Sequence, residues 1–311
     1  MRKKKIVVYF GKVKSPPDPF KGFGKKRKVY WDLFSFAAEN DLEIFIASGE
    51  NSFRGDMRFA NILKFENNFF TKFEQEIVAD AVYDRSGGLK FPLLEMNGKV
   101  LNCRSFKILC ADKNATAELL GNYMPKSFKV CSRGDLLNAL KNFDSEKLAV
   151  LKPSGSFGGK GILIDVPEKI AKLEINVPHT LQEFVETSKG IDGITEGRHD
   201  LRLIVIDGVF VLAHVRTPKR GSLLANVALG GSIKEVAIEK LPKNILTIAN
   251  EIKKIIDDKY GSPLYSIDFG VMEGRPYVFE LNDQIGFPSE QMPSAKRFIA
   301  RLVSSLKKIA N

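Results

Sequence analysis

The chain has 311 residues, of which 44% are hydrophobic and 27% charged, the balance of an ordinary globular protein with room for two or three domains. That composition excludes a disordered or collagen-like chain, and no apolar run approaches the roughly 18 residues of a membrane-spanning helix. The net charge of +11 is local: residues 1–28 hold eleven Lys or Arg against one acid, and the remaining 283 hold 37 against 36.

The basic start followed by five apolar residues, Ile6 to Phe10, is too short for a secretory signal and reads as a first strand. After it "GKVKSPPDPFKGFGKKRK" (11–28) reads as a long basic loop that would steer an anion, with Phe20, Phe23, Tyr30 and Trp31 placed to stack on bases if the partner were a nucleic acid. A solvated Pro-Gly loop is the plainer reading. "VYWDLFSFAAEN" predicts a helix, "LEIFIA" and "DAVYDR" predict strands, and the alternation favours a small parallel sheet with helices outside. "SFKILCADKNATAELLGNYMP" predicts one further helix, ending near Gly121 before Pro125. A first domain boundary falls near residue 108.

"KLAVLKPSGSFGGKGILIDV" (147–166) joins two apolar runs through a glycine-rich stretch. It is not a P-loop, because Ser154 stands where the first glycine is required and Gly161 follows Gly159-Lys160. It is not a dinucleotide fingerprint either, because a strand rather than a helix follows. It reads as a flexible connection between antiparallel strands, whose backbone N–H groups can turn to an anion, with Lys152 able to bring an ammonium to the same place. "LRLIVIDGVFVLAHVRT" predicts a hairpin turning at Asp207-Gly208. "KNILTIANEIKKIIDDKYG" predicts a helix closed by Gly261, and "SAKRFIARLVSSLKKIAN" a last one. "LYSIDFGVMEGRPYVFELN" predicts a late hairpin. If its loop is Glu273, Gly274 and Arg275, Asp268 falls opposite Glu280 with Asn282 on the same face, and a bound cation would explain why facing carboxylates are tolerated. A two-residue turn would separate the faces. Three hard oxygen donors suit Mg²⁺.

His179, His199 and His214 are scattered without metal spacing and read as structural. Cys103, Cys110 and Cys131 form no close pair, and reduced thiols fit a cytoplasmic protein.

The ordered series Lys113, Lys152 with its loop, "LQEFV" (181–185), "DLR" (200–202), "HVR" ending at Arg216, "ANVALGG" (225–231), and Asp268 with Glu280-Leu281-Asn282 resembles the ATP-grasp superfamily, within it the bacterial glutathione synthetases and protein glutamate ligases. The resemblance covers about residues 109–290. It implies an α/β N-terminal domain (1–108) followed by a two-lobed α+β ATP-grasp domain, with a small lobe and glycine-rich lid (109–186) and a large lobe with the metal site (187–311). It implies that Lys113 and Lys152 contact the nucleotide phosphates and that Gly155, Ser156, Gly158, Gly159, Lys160 and Gly161 close over them. Glu183 and Phe184 would meet the adenine, Asp200 the nucleotide's edge, and Arg202, Arg216 and Asn226 the transferring phosphoryl group. Asp268, Glu280 and Asn282 would hold two Mg²⁺, with Mn²⁺ as an alternative ion. The activity implied is ATP-dependent ligation of a small-molecule or peptide carboxylate to an amine or thiol, through an acyl phosphate. The alternatives are a kinase of the same fold, or a nucleotide-binding regulator that engages an anionic partner through residues 12–28; a homo-oligomer is compatible with either. Three departures stand out. Leu224 occupies a place where the family often carries an arginine, leaving Lys219 or Arg220 to clamp a substrate carboxylate. Ile285 replaces a frequent proline. A lengthened "ETSKGIDGITEGRH" leaves Glu186 and Asp192 as ribose candidates.

Overall fold

The computed structural model of the chain describes residues 2–87, 98–156, 158–225 and 230–311. The run from Ile6 to Phe10 is buried on both faces, as a central parallel strand must be. This strand, β1 (Lys4–Phe10), leads through helix α1 (Lys26–Glu39) to β2 (Leu42–Ser48), which pairs with it in parallel. A short β3 (Arg58–Phe59) precedes a β4–β5 hairpin (Ile62–Glu66, Phe69–Phe73), and β6 (Ile77–Val78) pairs with β3. Then β7 (Ala81–Arg85) returns parallel to the other side of β1, with β8 (Val100–Leu101) beyond it. The sheet order is β5-β4-β2-β1-β7-β8. The expected parallel centre is present; the antiparallel β4–β5 edge is an addition to it.

The aromatics of the basic segment are interior rather than poised to stack on bases. Phe20 is fully buried, stacked on Tyr30 at 4.7 Å and on Phe34 at 5.6 Å, and Tyr30 is itself buried. Phe23 and Trp31 pack edge-on against the same cluster, so the loop is anchored by its own side chains.

The expected single helix over 105–125 is two, α2 (Arg104–Ala111) and α3 (Lys113–Leu120). Asp112 leaves the helical region at φ −101°, ψ 103° and accepts from the backbone N–H of Asn114 at 2.9 Å, capping the second helix. Residue 108 thus lies inside α2. The small sheet follows: β9 (Ser127–Val130), α4 (Arg133–Leu140), β10 (Ala149–Pro153), β11 (Leu163–Asp165), α5 (Pro167–Ile170) and β12 (His179–Glu183), in antiparallel order β11-β10-β12-β9. Leu136, Leu151, Ile170 and Leu181 form a core of its own.

The last sheet is antiparallel, β15-β14-β13-β16-β17, from β13 (Asp200–Ile206), β14 (Val209–Thr217), β15 (Ser232–Val236), β16 (Leu264–Met272) and β17 (Arg275–Asn282). Asp207 and Gly208 turn the first hairpin at φ 48° and 69°, as expected. Helix α6 (Lys243–Tyr260) buries Ile245, Ala249, Ile252 and Ile256 against one face and ends at Gly261 in the left-handed region. On the other face, Ile204, Ile206, Val211 and Leu212 share a core with helix α7 (Ala295–Ile309) and with α1. Residues 200, 202, 204 and 206 alternate onto this one face; α7 roofs the half carrying 204 and 206, and the half carrying 200 and 202 is left to a cleft.

The late hairpin reaches the expected pairing by another route. Its turn is two residues, Glu273-Gly274, with Met272 opposite Arg275. A bulge then inserts Phe279 between the Phe269–Val278 and Asp268–Glu280 pairs, restoring the opposition that a two-residue turn alone would lose. The displaced ring lies over Gly270, where a Cβ would meet it at 2.0 Å. Gly270→Ala is therefore expected to destabilise the chain by about 1–3 kcal/mol through overpacking, measured by urea unfolding.

Candidate active site

A cleft of about 590 Å³ separates the small and large sheets. One wall is built by Val150 and Lys152 of β10, Gly158, Gly159 and Ile162 of the loop, Ile164 of β11 and Gln182 of β12. Glu183, Phe184 and Val185, where the chain leaves β12, close the back. Asp200, Arg202, Arg216, Phe279, Glu280 and Asn282 form the opposite wall, and Asp268 lies fully buried beneath them.

Asp268 organises that wall. Arg202 donates Nε to Oδ1 at 2.7 Å and Nη2 to Oδ2 at 2.5 Å, and Arg216 donates Nη2 to Oδ2 at 2.7 Å. Burial alone would raise the Asp268 carboxyl, but Arg202 and then Arg216 outweigh it and hold the group well below the usual carboxylate range. Asp200 accepts from the same Arg216 Nη2 through Oδ2. Its carboxyl is pushed up to about 7, first by burial and then by the Asp268 charge. The charge of Asp268 is thus matched by two protein cations.

Asn282 donates Nδ2 to Asp268 Oδ2 at 3.3 Å and to Glu280 Oε1 at 3.2 Å. Among the described residues no three His, Cys, Asp or Glu side chains gather about one point; the cluster is two carboxylates and an amide. That donor set fits a hard divalent cation. Glu280 and Asn282 face the cleft, and the amide turned end for end presents its oxygen; Asp268 would join only as its guanidinium partners turn away.

Lys152 donates Nζ to Gln182 Oε1 at 2.7 Å and lies 5.9 Å from the centre of the Phe279 ring. Among the described residues it has no carboxylate at ion-pairing distance. Burial and, among the neighbouring charges, Lys113 lower its pKa against the pull of Glu280. Lys113 reaches instead to the base of the loop, donating Nζ to the carbonyls of Ser156 and, at 3.5 Å, Ser154. Asp112 and Asn114 hold the Ser154 hydroxyl at 2.6 and 3.1 Å. The loop itself needs its glycines: Gly158, Gly159 and Gly161 lie at φ 69°, 77° and 74°, and a Cβ on Gly161 would come within 2.9 Å of Pro153.

Of the expected residues, Lys152, Gly158, Gly159, Glu183, Phe184, Asp200, Arg202, Arg216, Glu280 and Asn282 line one cleft. Lys113, Gly155, Ser156, Lys160 and Gly161 lie outside its lining, and Asn226 falls outside the described residues. Neither ribose candidate lines it: Glu186 is taken by Arg198 in a two-pronged pair at 3.1 and 2.7 Å, and Asp192 is exposed. Thr187 lines the cleft there. Lys219 and Arg220 are exposed away from the lining, and Leu223, Leu224 and Ala225 present an apolar stretch. Gln182, Thr187, Phe279 and Gln284 were not foreseen; Gln182 was signalled by its place beside Glu183, facing Val150 across the small sheet.

His199 lines the cleft, and its ring is tied into the backbone. His199 accepts from the Val271 N–H at Nε2 (3.2 Å) and bonds the Gly197 carbonyl through Nδ1 (3.1 Å), fixing one neutral tautomer. Cys110 is buried, and burial pushes its thiol up, away from nucleophilic use. His214 is buried beside Arg202 and Arg216; burial, then those two charges, push its pKa down to about 3. The unfolded imidazole takes up a proton below about 6.5 that the folded one refuses until about 3, so stability falls as pH drops through that window. Between pH 7 and 5 the wild type is expected to lose about 2 kcal/mol more than His214→Gln, checked by urea unfolding at both pH values.

Among the described residues no helix is long and apolar enough to cross a membrane. Residues 114–273, half of the chain, match the sequence profile of the family described as prokaryotic glutathione synthetase, ATP-grasp domain. A probable alpha-L-glutamate ligase of Shewanella pealeana is 25% identical over 156 residues, covering 48% of this chain. The chain spans about a third, 31%, of that relative's length. The fold matches D-alanyl-alanine synthetase A of Vibrio cholerae with a TM-score of 0.66 at 12% identity, over 100% of this chain and 99% of that one. It matches the ATP-grasp ligase PsnB, solved with a minimal precursor, with a TM-score of 0.62 at 16% identity over 99% of both chains. The two structures share the whole α/β-plus-ATP-grasp architecture, and with the profile covering the glycine-rich loop, the back of the cleft and Asp268, the chain belongs to the prokaryotic glutathione synthetase ATP-grasp domain family.

Proposed function

We propose that the chain is an ATP-dependent ligase that joins a carboxylate to an amine or thiol through an acyl phosphate, releasing ADP and phosphate. The carrying observation is the cleft itself: Lys152, with no acid partner among the described residues, faces Glu280 and Asn282 across it, beside a loop whose Gly158, Gly159 and Gly161 take positive φ. Residues 1–108 would supply the preceding α/β domain, 109–186 the small lobe and lid, and 187–311 the large lobe.

The nucleotide would lie with its adenine against Glu183, Phe184 and Val185, its edge toward Asp200 and Thr187, and its phosphates between the lid and Lys152. Lys113, tied to the lid backbone at Ser156, would set the lid's position and reach the phosphates as it closes. Glu280, Asn282 and Asp268 would hold two Mg²⁺ ions, which neutralise phosphate charge and polarise the bond being broken. Arg202 and Arg216 stand at the cleft wall beside Asp268, and would turn from it toward the phosphates as Asp268 joins the metal site, bringing their charge to the reacting group. The substrate carboxylate oxygen attacks the γ-phosphorus and ADP leaves. The amine nitrogen then attacks the acyl carbon and gives up a proton, and the C–O bond to phosphate breaks. Both guanidiniums can stabilise the equatorial oxygens of the first step and the oxyanion of the second. Closure of the lid excludes the water that would hydrolyse the mixed anhydride.

The test is ADP release with hydroxylamine as acceptor, over a panel of free acids that includes glutamate-terminated peptides, since one relative is a probable glutamate ligase. A hydroxamate together with ADP is expected, and Lys152→Ala and Asp268→Asn should each lower kcat at least 100-fold, about 3 kcal/mol of transition-state stabilisation. ADP release with a stable phosphorylated product and no hydroxamate would identify a kinase; full turnover in both variants would overturn the site.

A further inference from the structure

Lys152 owes its setting to a chain of neutral groups laid across the small sheet. On β10, β12 and β9, Leu151, Leu181 and Val130 turn into the small core, so Lys152, Thr180, Gln182 and Ser127 share the opposite face. Register sets Ser127 directly across from Gln182, and Lys152 across from Thr180. Thr180 is turned away from the ammonium, donating its hydroxyl to Asn114 Oδ1 at 2.9 Å. The partner of Lys152 is the diagonal neighbour instead: Gln182 is the one side chain hydrogen-bonded to it among the described residues.

The direction of the chain follows from counting protons. Ser127 donates its single hydroxyl proton to the Pro125 carbonyl at 2.7 Å, so toward Gln182 it can only accept. Gln182 meets it with Nε2 at 2.8 Å. That leaves Oε1 on the other side, where Lys152, a donor with no lone pair, reaches it at 2.7 Å. The same amide turned end for end would set N–H groups against the ammonium and leave Ser127 without its donor. Gln182 is only 2% exposed, so little water is at hand to make good either loss.

An ammonium set into a protein wall is ordinarily paired with a carboxylate, which fixes its place and cancels its charge together. Glutamine, nearly the same shape as glutamate, does only the first: one of three ammonium N–H groups is taken and the charge stays whole. We propose, building on the nucleotide-binding part of the ligase reading, that Gln182 and Ser127 are positioning residues for Lys152. Gln182 holds the ammonium in the cleft without neutralising it. Ser127, which lies outside the cleft lining, acts through Gln182 by fixing which end of the amide faces Lys152. The ligand served is the nucleotide's polyphosphate, a multiply charged anion that gains most from a cation fixed in place with no counter-charge to displace.

The probes are MgADP, adenosine and inorganic pyrophosphate, titrated calorimetrically into the full chain. The readout is the preference for MgADP over adenosine, which a general loss of structure would not change selectively. Gln182→Glu is expected to cut that preference roughly tenfold and to weaken pyrophosphate in parallel. Ser127→Ala is expected to cut it roughly threefold, with Ser127→Thr restoring it, and to add nothing in a Gln182→Met background, because its effect passes through Gln182. The Ser127 variants decide the matter if the Gln182 variants do not fold. A preference unchanged in Ser127→Ala, an equal loss for MgADP and adenosine, additive effects in the double variant, or a wild type that binds neither MgADP nor pyrophosphate would overturn the assignment. The expected preferences without ADP release from any acid would uphold it and count against the ligase reading alone.

Discussion

The bond between Asp268 and its two arginines is the constraint on which the large lobe's working face depends. A carboxylate with no exposed surface must be either protonated or paired, and here Arg202 and Arg216 come from the two strands next in order across the sheet. Register makes this possible: Arg202 lies opposite Asp268 on one side and His214 on the other, and Asp200 lies opposite Arg216. A slip of one residue would turn both guanidiniums toward α6 and its isoleucines. Removing one partner from such a buried group costs about 3–5 kcal/mol, so the sheet's pairing and the charge pattern of the cleft enforce each other.

The division of the apolar cores bears on how the cleft can move. The core that holds α1, α7 and one face of the large sheet runs unbroken from the first sheet into the last, whereas the small sheet has its own cluster under α4 and α5. Opening the cleft would therefore tear neither of these two apolar cores. The first sheet and the last are joined by the core they share, to which α7 contributes Phe298, Leu302 and Leu306.

Elements whose signal is local were legible in the sequence. The apolar run of β1, the Asp207-Gly208 hairpin, the periodic isoleucines of α6 ending at Gly261, and a glycine loop between antiparallel strands all depend on neighbours within a few residues. The misses have physical causes of the same scale. The β4–β5 hairpin turns at Asn67-Asn68, both at positive φ, a turn signature as readable as Asp-Gly but hidden among charged residues. The break at Asp112 is an N-cap inside a sequence of otherwise good helix formers. The bulge at Phe279 carries no sequence mark beyond Gly270 opposite, since its ring needs a missing Cβ on the neighbouring strand. Order and spacing do not say which of the expected residues line the cleft: Lys160 and Gly155 share a loop with Gly158 and Gly159 but lie outside the lining.

Charge abundance was the most conspicuous feature of the sequence and the least informative. In the basic first 28 residues, Arg2, Arg27 and Lys28 are spent on Asp80, Asp18 and Asp32, and the aromatics among them are consumed by the core. A cation already matched with an acid offers an incoming anion little, because the new contact must replace an existing one. One held in place without a counter-charge has paid its desolvation in advance, and an arriving anion recovers it. By that measure the informative cation of the cleft is Lys152, held beside Gln182 with no carboxylate at ion-pairing distance among the described residues.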